Sequence, residues 1–415
     1  MGCMQISATQ RELVIQFALV FICLGFWRSG LNFISFPLLI VAWLMDGGLY
    51  QFKQAIGEPL IQAILLLCAL LLLGLLWGEW PDNGRMKWLK YFMLLIFIPF
   101  YSLLNRERLP WVIGGMLVSY SGVLALGVYQ WLVMGEQGIP LLGMSYLSFS
   151  AMLGVGVIVT ACLAGLSRSV LLGMSLLIVS LALLWVQFHQ SGRILLFATL
   201  MTLVLLVFLR YRAEVRKFLI ISIAVLMVAS VFAYHSPVFQ NRWAQVSSDI
   251  ELLQQGNYSS SLGYRLAMWD VGLHGIAERP LTGHGTGTPE AYFDHTVQTY
   301  KNGLYKNLPE FQKTFHYHND WIEIGMHIGI PGMLALLFLL WGWYQSLNKN
   351  QLGILGAGLV SYIFLAGMTD AFIIFSRTQI LLLIITAIAM SWRKECGDDF
   401  LSIFRLNKNP TLKPD

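Results

Sequence analysis

Charged residues are scarce in this sequence. Asp, Glu, Lys and Arg make up 12% of the 415 positions, whereas soluble globular proteins carry about a quarter. Hydrophobic residues make up 57%, and the mean hydropathy is +0.65. This composition predicts an all-α polytopic membrane protein in place of separate water-soluble domains. The net charge of +5 is modest and its cations lie in short turns, which excludes a nucleic-acid-binding surface.

Cysteine patterns and several catalytic motifs are also missing. The five cysteines are scattered, with no CxxC pair, so the sequence excludes a disulfide framework and a thiolate metal site. It contains no Gly-x-Ser-x-Gly elbow and no Asp-x-Asp pair to hold a divalent cation against a diphosphate. No cleavable signal peptide is expected, because the first apolar run leads directly into further runs.

Long apolar runs dominate the rest of the chain and predict about twelve transmembrane helices. Each run is long enough to approach the thickness of a bilayer. The runs fall at about 13–27, 31–50, 59–78, 88–104, 109–134, 145–166, 169–187, 194–209, 217–234, 325–344, 352–375 and 378–392.

The distribution of positive charge predicts the orientation. Placing the N-terminus in the cytoplasm gives the inside turns the excess of Lys and Arg that bacterial inner-membrane proteins show. These cations are Lys53, Arg106, Arg108, Arg168, Arg210, Arg212, Arg216 and Lys217, with Arg393, Lys394, Arg405, Lys408 and Lys413 in the tail. The short outer turns carry only Arg28, Arg85, Lys87, Arg193 and Arg377. The predicted divisions are helices 1–9 in 1–234, a periplasmic loop domain in 235–320, helices 10–12 in 321–392 and a cytoplasmic tail in 393–415.

The long polar loop contains a predicted helix with a cation on it. Ser259-Ser260-Ser261 is a typical N-cap, and the apolar residues from Leu262 to Ala277 follow helical spacing. Arg265 and Trp269 are four residues apart and therefore share a face. An arginine fork near a membrane suits a phosphate, although a solvated helix face explains Arg265 equally well. Trp269 fits either core packing or contact with a sugar ring.

Two further features follow this helix. The alternating glycines of Gly283-His284-Gly285-Thr286-Gly287 lack a preceding strand and a Walker lysine, so they predict a tight turn and not a nucleotide site. Beyond them, the segment 319–327 has an amphipathic pattern that predicts a helix lying at the membrane surface.

Two histidines lie at the end of the loop, in Phe315-His316-Tyr317-His318-Asn319-Asp320. His316 and His318 point the same way if the chain is extended. A neutral imidazole can take a proton from a hydroxyl group. A metal site would need a third ligand, for which the candidates are His295, Asp294 and Asp320, but the spacing matches no recognised zinc pattern.

Arg193 lies between two apolar runs, in Gln190-Ser191-Gly192-Arg193. Ionisable residues at membrane depth are costly and tend to be functional. An interfacial arginine that anchors a helix to lipid headgroups is an equally good interpretation.

These motifs together resemble a known family. His318-Asn319, nine further residues and Gly329-Ile330-Pro331-Gly332 look like the His-Asn-x9-Gly-x-x-Gly signature of bacterial O-antigen ligases. Arg265 with Trp269, followed by Pro280-Leu281 and the alternating glycines, resembles the loop of the same family. The twelve predicted spans with one large loop before the tenth also fit the ligase/polymerase superfamily.

The resemblance implies a GT-C-like, inverting, metal-independent glycosyltransferase without a cofactor. Its donor would be O-antigen linked to undecaprenyl diphosphate, and its acceptor lipid A-core. By carry-over, His318 would activate the acceptor hydroxyl, and Arg265 and Arg193 would bind the diphosphate. His316 is an alternative base, and Trp269, His316 and Asn319 would contact substrate.

Three other functions remain open at this point. An O-antigen polymerase of the same superfamily commonly has a second large periplasmic loop, which the short outer turns here do not provide. A protein O-oligosaccharyltransferase often carries an added soluble region. A lipid-linked glycan transporter should have ionisable groups within its spans, and Asp370 is the main candidate.

Overall fold

The computed structural model describes residues 7–78, 87–308 and 316–396. Arg85, Phe315 and the predicted tail beyond residue 396 lie outside this part of the chain. The described residues form helices joined by turns, as the composition predicted, and no strand is present among them. The α-helices are α1 (Ala8–Gly25), α2 (Ser29–Met45), α3 (Gly48–Ala55), α4 (Pro59–Gly74), α5 (Phe97–Leu103), α6 (Leu109–Met134), α7 (Tyr146–Leu166), α8 (Val170–Phe188), α9 (Arg193–Tyr211), α10 (Val215–His235), α11 (Pro237–Gln254), α12 (Ser261–Glu278), α13 (Pro289–Thr296), α14 (Asp320–Lys349), α15 (Gly353–Gly367) and α16 (Ser376–Cys396). Short 3₁₀ segments cover Lys87–Ile96, Pro140–Leu142, Tyr300–Gly303 and Phe372–Ile374.

The number of membrane-spanning helices is smaller than the predicted twelve. Among the described residues, seven helices are long and apolar enough to cross a bilayer: α1, α6, α7, α8, α9, α10 and α14. The pair α2 and α3 gives an eighth if its 92° bend lies within one broken span. The helices α4 and α15 are apolar but shorter. The chain is therefore a polytopic helical membrane protein, and the count of twelve is not confirmed.

A buried ion network ties the first helices together. The guanidinium of Arg108, just before α6, lies 2.6 Å from Glu12 on α1 and 2.8 Å from Asp46 at the end of α2. The Arg108 side chain is buried, so both carboxylates are needed to compensate its charge. This network joins three elements around one cation.

The polar segment after α10 has a small core of its own. This cluster consists of Tyr264, Ala267, Met268, Val271, Ile276, Phe293, Val297, Tyr305, Leu308, Tyr317, Ile322 and Met326. The predicted helix at 262–277 is observed as α12, and its N-cap is the predicted serine run. The Ser260 hydroxyl accepts a hydrogen bond from the Gly263 amide at 3.1 Å. Because α12 packs on α14, the polar segment and the membrane helices form one body around the site.

The start of α14 differs from the predicted surface helix. Residues 320–327 are helical, but all of them except Trp321 are buried within the protein. Ile328 and Gly329 leave helical geometry, and Gly329 has φ +67°, so the chain kinks before the apolar part of α14 begins. The amphipathic pattern was misleading because the polar residues Asp320, Glu323 and His327 face internal partners in place of water.

Glycines allow three backbone segments to pack directly on one another beneath the site. A Cβ on Gly285 would lie 2.2 Å from the Cα of Gly78, and one on Gly329 would lie 2.5 Å from the Pro280 oxygen. The Ile330 amide donates to that same Pro280 oxygen at 2.8 Å. The turn predicted from the alternating glycines is therefore present, and the Gly-x-x-Gly segment packs against it.

Replacing Gly285 by Ala is expected to destabilise the protein by roughly 2–4 kcal/mol. The residue has φ +95°, which costs an L-amino acid about 1–3 kcal/mol, and the new methyl group would clash with backbone. Thermal unfolding in detergent measures the effect as a lower Tm. Gly57→Ala is the matched control, because nothing lies within 4 Å of a Cβ at that position. Equal Tm values for the two variants would contradict this packing.

Candidate active site

The segment His316-Tyr317-His318 directs alternate side chains to opposite sides. Tyr317 is fully buried in the core of the polar segment, where its hydroxyl donates to the Pro289 oxygen at 2.9 Å. The two imidazoles point the other way, with ring centroids 4.1 Å apart. This is the arrangement expected from their spacing of two residues.

Both histidines contact one carboxylate that sequence reasoning did not place here. Asp370 Oδ1 lies 3.1 Å from His316 Nε2 and 2.9 Å from His318 Nδ1. The predicted span 352–375 is wrong at its end, because α15 stops at Gly367 and Asp370 lies in the turn before the Phe372–Ile374 segment. Asp370 is therefore not a charge in the middle of a helix, which removes the feature that favoured a transporter.

The surroundings of His318 keep its imidazole neutral and Asp370 ionised. Burial lowers the pKa of His318 below its usual value, and the neighbouring His316 and Arg265 act in the same direction, against the opposing effect of Asp370. Burial alone would raise the pKa of Asp370, but hydrogen bonds from His316 and His318 outweigh it and hold that pKa far below its usual value. With Nδ1–H donating to Asp370, the lone pair of His318 is on Nε2. Among the described residues, none forms a hydrogen bond to that atom.

Hydrogen bonds of the Trp269 and Asn319 side chains stabilise the backbone at His318. The Trp269 indole N–H donates to the His318 carbonyl oxygen at 3.2 Å. The Asn319 side-chain oxygen caps α14 by accepting from the amides of Trp321 and Ile322, and its amide nitrogen donates to the Met368 oxygen at 2.8 Å. His318 itself has φ +47°, a left-handed conformation that these contacts stabilise. Both residues lie beside the candidate base, and their predicted substrate contacts stay predictions.

Three arginines are electrostatic neighbours, and one of them, Arg265, is close enough to act on His318. Arg265 on α12 acts electrostatically on His318, and its guanidinium donates to the Ser261 hydroxyl at 2.8 Å and the Ser261 carbonyl at 3.1 Å. Arg193, the first residue of α9, lies within electrostatic reach of Arg265 and Arg242. It donates to the Arg242 carbonyl oxygen at 2.6 Å. None of the three forms a salt bridge within the described residues, although Asp249 partly offsets the charge of Arg193.

Positive charge that is only partly compensated, beside a neutral base, is the main electrostatic feature of the site. Three neighbouring guanidinium groups repel one another, and a bound anion would relieve that repulsion. The Arg265 Nε atom is buried without a hydrogen-bond partner, so part of its donor capacity is still unused. Arg242 lies in the polar helix α11, and no motif in the sequence marked it as a candidate site residue.

The remaining histidines of this region have structural roles. His284 is buried, and its Nε2 lies 2.9 Å from the Gly275 oxygen near the end of α12. His327 Nδ1 accepts from the Gly287 amide at 3.2 Å, which ties the glycine turn to α14. Neither His295 nor Asp294 joins His316 and His318; the carboxylate that does so is Asp370.

Comparison with known proteins shows a similarity over the central part of the chain. Residues 153–337 match the family model described as O-antigen ligase. This segment is therefore similar to O-antigen ligases. The matched residues include Arg193, Arg265, His316 and His318, whereas Asp370 lies beyond them.

Two curated relatives align with parts of the chain. A protein named O-antigen ligase from Escherichia coli (strain K12) is 29% identical over 185 residues, which cover 43% of this chain and 42% of that protein. An uncharacterized protein from Haemophilus influenzae (strain ATCC 51907 / DSM 11121 / KW20 / Rd) is 28% identical over 151 residues, covering 34% of this chain and 36% of its own length. The aligned segments thus span less than half of each relative.

Asp370 is the residue of this candidate site that the sequence motifs did not identify. It is 52 positions from His318 along the chain, and no short motif connects the two. Its signal was a lone carboxylate within the predicted apolar run 352–375, where an ionisable group is costly without a partner. That signal indicated a functional residue but did not identify the histidines as its partners.

Proposed function

We propose that this protein is an O-antigen ligase that transfers O-antigen from undecaprenyl diphosphate to lipid A-core, at the periplasmic side of the bacterial inner membrane. The observation that carries the proposal is one site that combines an imidazole oriented by Asp370 with arginines that lack carboxylate partners. The similarity of residues 153–337 to O-antigen ligases supports the same assignment. A GT-C-like architecture, inversion at the anomeric carbon and independence of metal are parts of the proposal.

The first half of the reaction uses His318. Its Nε2 atom removes the proton from the acceptor hydroxyl while the hydroxyl oxygen forms a bond to the anomeric carbon of the donor. Asp370 keeps the other ring nitrogen protonated and stabilises the imidazolium that forms, so it is a positioning residue. His316 shares the Asp370 oxygen and is the alternative base.

The second half of the reaction uses the arginines. As the new bond forms on one face of the sugar, the bond between the anomeric carbon and the diphosphate oxygen breaks on the other, which inverts the configuration. Negative charge grows on the departing diphosphate, and Arg265 and Arg193 stabilise it where the membrane's low dielectric makes an unpaired anion costly. No nucleotide is required, because cleavage of the donor bond supplies the free energy.

Reconstitution tests this proposal directly. Purified protein, undecaprenyl-diphosphate-linked glycan and lipid A-core are incubated with EDTA and without nucleotide, and the product is followed by mobility and mass. The expected result is glycan attached to the core. Polymerised donor without core attachment would indicate a polymerase, glycan on protein would indicate a protein oligosaccharyltransferase, and donor movement across vesicles without transfer would indicate a transporter.

Replacing Asp370 by Asn is expected to lower the transfer rate on the order of 10²-fold or more, because the amide can donate to His318 Nδ1 and move the ring proton to Nε2. In the wild-type protein the rate should fall only as the pH drops below about 6.5, since His318 must be neutral and its pKa is lowered. Losing the carboxylate lowers that pKa further, so the acid limb of the pH–rate profile should move to lower pH.

The control for Asp370 is Asp270→Asn. Asp270 also accepts hydrogen bonds from neighbouring side chains, including Tyr305 at 2.8 Å, but it does not contact the histidines. This variant should keep the position of the acid limb. An Asp370→Asn protein with the wild-type rate and the wild-type acid limb would show that Asp370 does not position the base.

A further inference from the structure

The cluster of His316, His318 and Asp370 has the composition and spacing of a transition-metal site. One ligand atom from each residue lies within 4.8 Å of the other two. Ligands of a tetrahedral Zn²⁺ at about 2.0–2.1 Å are about 3.3 Å apart, and the two histidine–Asp370 distances here are 3.1 Å and 2.9 Å. Two imidazoles and one carboxylate with an open fourth position are a common zinc ligand set. Only small movements of the rings are needed to admit the ion.

We propose that this cluster binds Zn²⁺ or a similar transition-metal ion, and that binding inhibits the protein. The imidazole donors favour a borderline ion over Mg²⁺, which prefers six oxygen ligands. The binding itself depends only on the geometry of the three side chains. The inhibition rests on the proposed function, in which His318 is the base.

The inhibition follows from the position of one proton. In the metal-free site His318 Nδ1 carries the hydrogen that Asp370 accepts, and Nε2 has the lone pair. The metal-ligating atom is Nδ1, so binding requires the neutral ring to place its proton on Nε2. No proton is gained or lost by the ring, but Nε2 can no longer accept one from a hydroxyl group. The metal therefore converts the base into its inactive tautomer.

The same structure limits the strength of binding. Metal-ligating histidines usually donate their second N–H to an acceptor, and losing such a partner costs about 10–100-fold in affinity. The second ring nitrogen of His316, Nδ1, is buried and has no hydrogen-bond partner within the described residues. The ion should consequently exchange and be removable by a chelator, in contrast to a resident structural zinc.

Metal binding can be tested without any activity. Purified metal-free protein is titrated with Co²⁺, which shows visible absorption when bound by nitrogen and oxygen ligands in a site of low coordination number. The wild-type protein should develop this absorption with one ion bound. His316→Gln and Asp370→Asn should lose it. His274→Gln is the control, because His274 pairs with Glu278 on the outer part of α12. An identical spectrum in all four proteins would overturn the site.

Transfer assays test the inhibition. Zn²⁺ should lower the rate of the wild-type protein at least tenfold, EDTA should restore it, and Mg²⁺ should have no effect. Stimulation by Zn²⁺, or full activity with the site occupied by Co²⁺, would overturn the inhibitory role. If the metal-free protein transfers no glycan, the proposed function fails, and the Co²⁺ spectra still decide whether the metal site exists.

Discussion

His318→Ala is expected to lower the rate of glycan transfer by about 10²–10⁴-fold, the usual contribution of a general base. The imidazole is oriented by Asp370 at 2.9 Å, lies in electrostatic reach of Arg265, and is kept neutral by burial. No other described residue bonds to its Nε2 atom, so its removal leaves the hydroxyl without a proton acceptor there. The rate should be measured with purified protein at saturating donor and acceptor.

A lower rate in the His318 variant must be distinguished from a loss of folded protein. His318 has φ +47°, and Asn tolerates this conformation better than most residues, so His318→Asn is the second variant. Both proteins should keep the wild-type Tm. His274→Ala removes a half-exposed histidine of the same segment and should keep the rate. Transfer that survives in both His318 variants and is lost in His316→Ala would assign the base to His316.

Arg265→Ala and Arg193→Ala are each expected to lower transfer by about 10²–10³-fold, the range seen when one stabilising donor of a developing anion is removed. Arg265 has a buried Nε without a hydrogen-bond partner, and Arg193 lies among like charges, so both have capacity for an added anion. A donor KM that rises while kcat falls would indicate contact with the diphosphate before and during its departure.

Lysine variants and an exposed arginine complete this test. Arg265→Lys keeps the charge but loses the planar fork, so it should recover only part of the rate. Arg279→Ala is the control, because Arg279 is exposed at the end of α12 and should not affect transfer. Wild-type rates in either Arg265→Ala or Arg193→Ala would remove that residue from the diphosphate site.

Local patterns in the sequence predicted the helices well and the spans less well. Ser260 caps α12 within two residues of the predicted start, because capping depends only on neighbouring residues. The apolar runs also became helices, since a backbone in lipid must satisfy its own hydrogen bonds. Length alone did not decide which helices cross the membrane, because α2 and α3 bend by 92° and α4 and α15 are short.

The start of α14 shows why local patterns failed elsewhere. The polar residues Asp320, Glu323 and His327 predicted a solvent-exposed face, yet all three are buried and form hydrogen bonds within the protein. Asp320, for example, accepts from the Ile373 amide at 3.2 Å. A hydrophobicity pattern records which side chains are polar, but it does not record whether water or the protein satisfies them.

Composition and short-range patterns were enough for an all-helical membrane protein, the helix that carries Arg265 and the glycine turn, because each depends on composition or on residues close together in the chain. The role of His318 as the base stays a prediction. Tertiary structure alone decided that Asp370 meets both histidines across 52 and 54 positions, and that Arg193, Arg242 and Arg265 lie together. Such contacts between residues distant in sequence depend on how the helices pack and where they end. The site therefore exists only once α9, α12, α14 and the turn after α15 have come together.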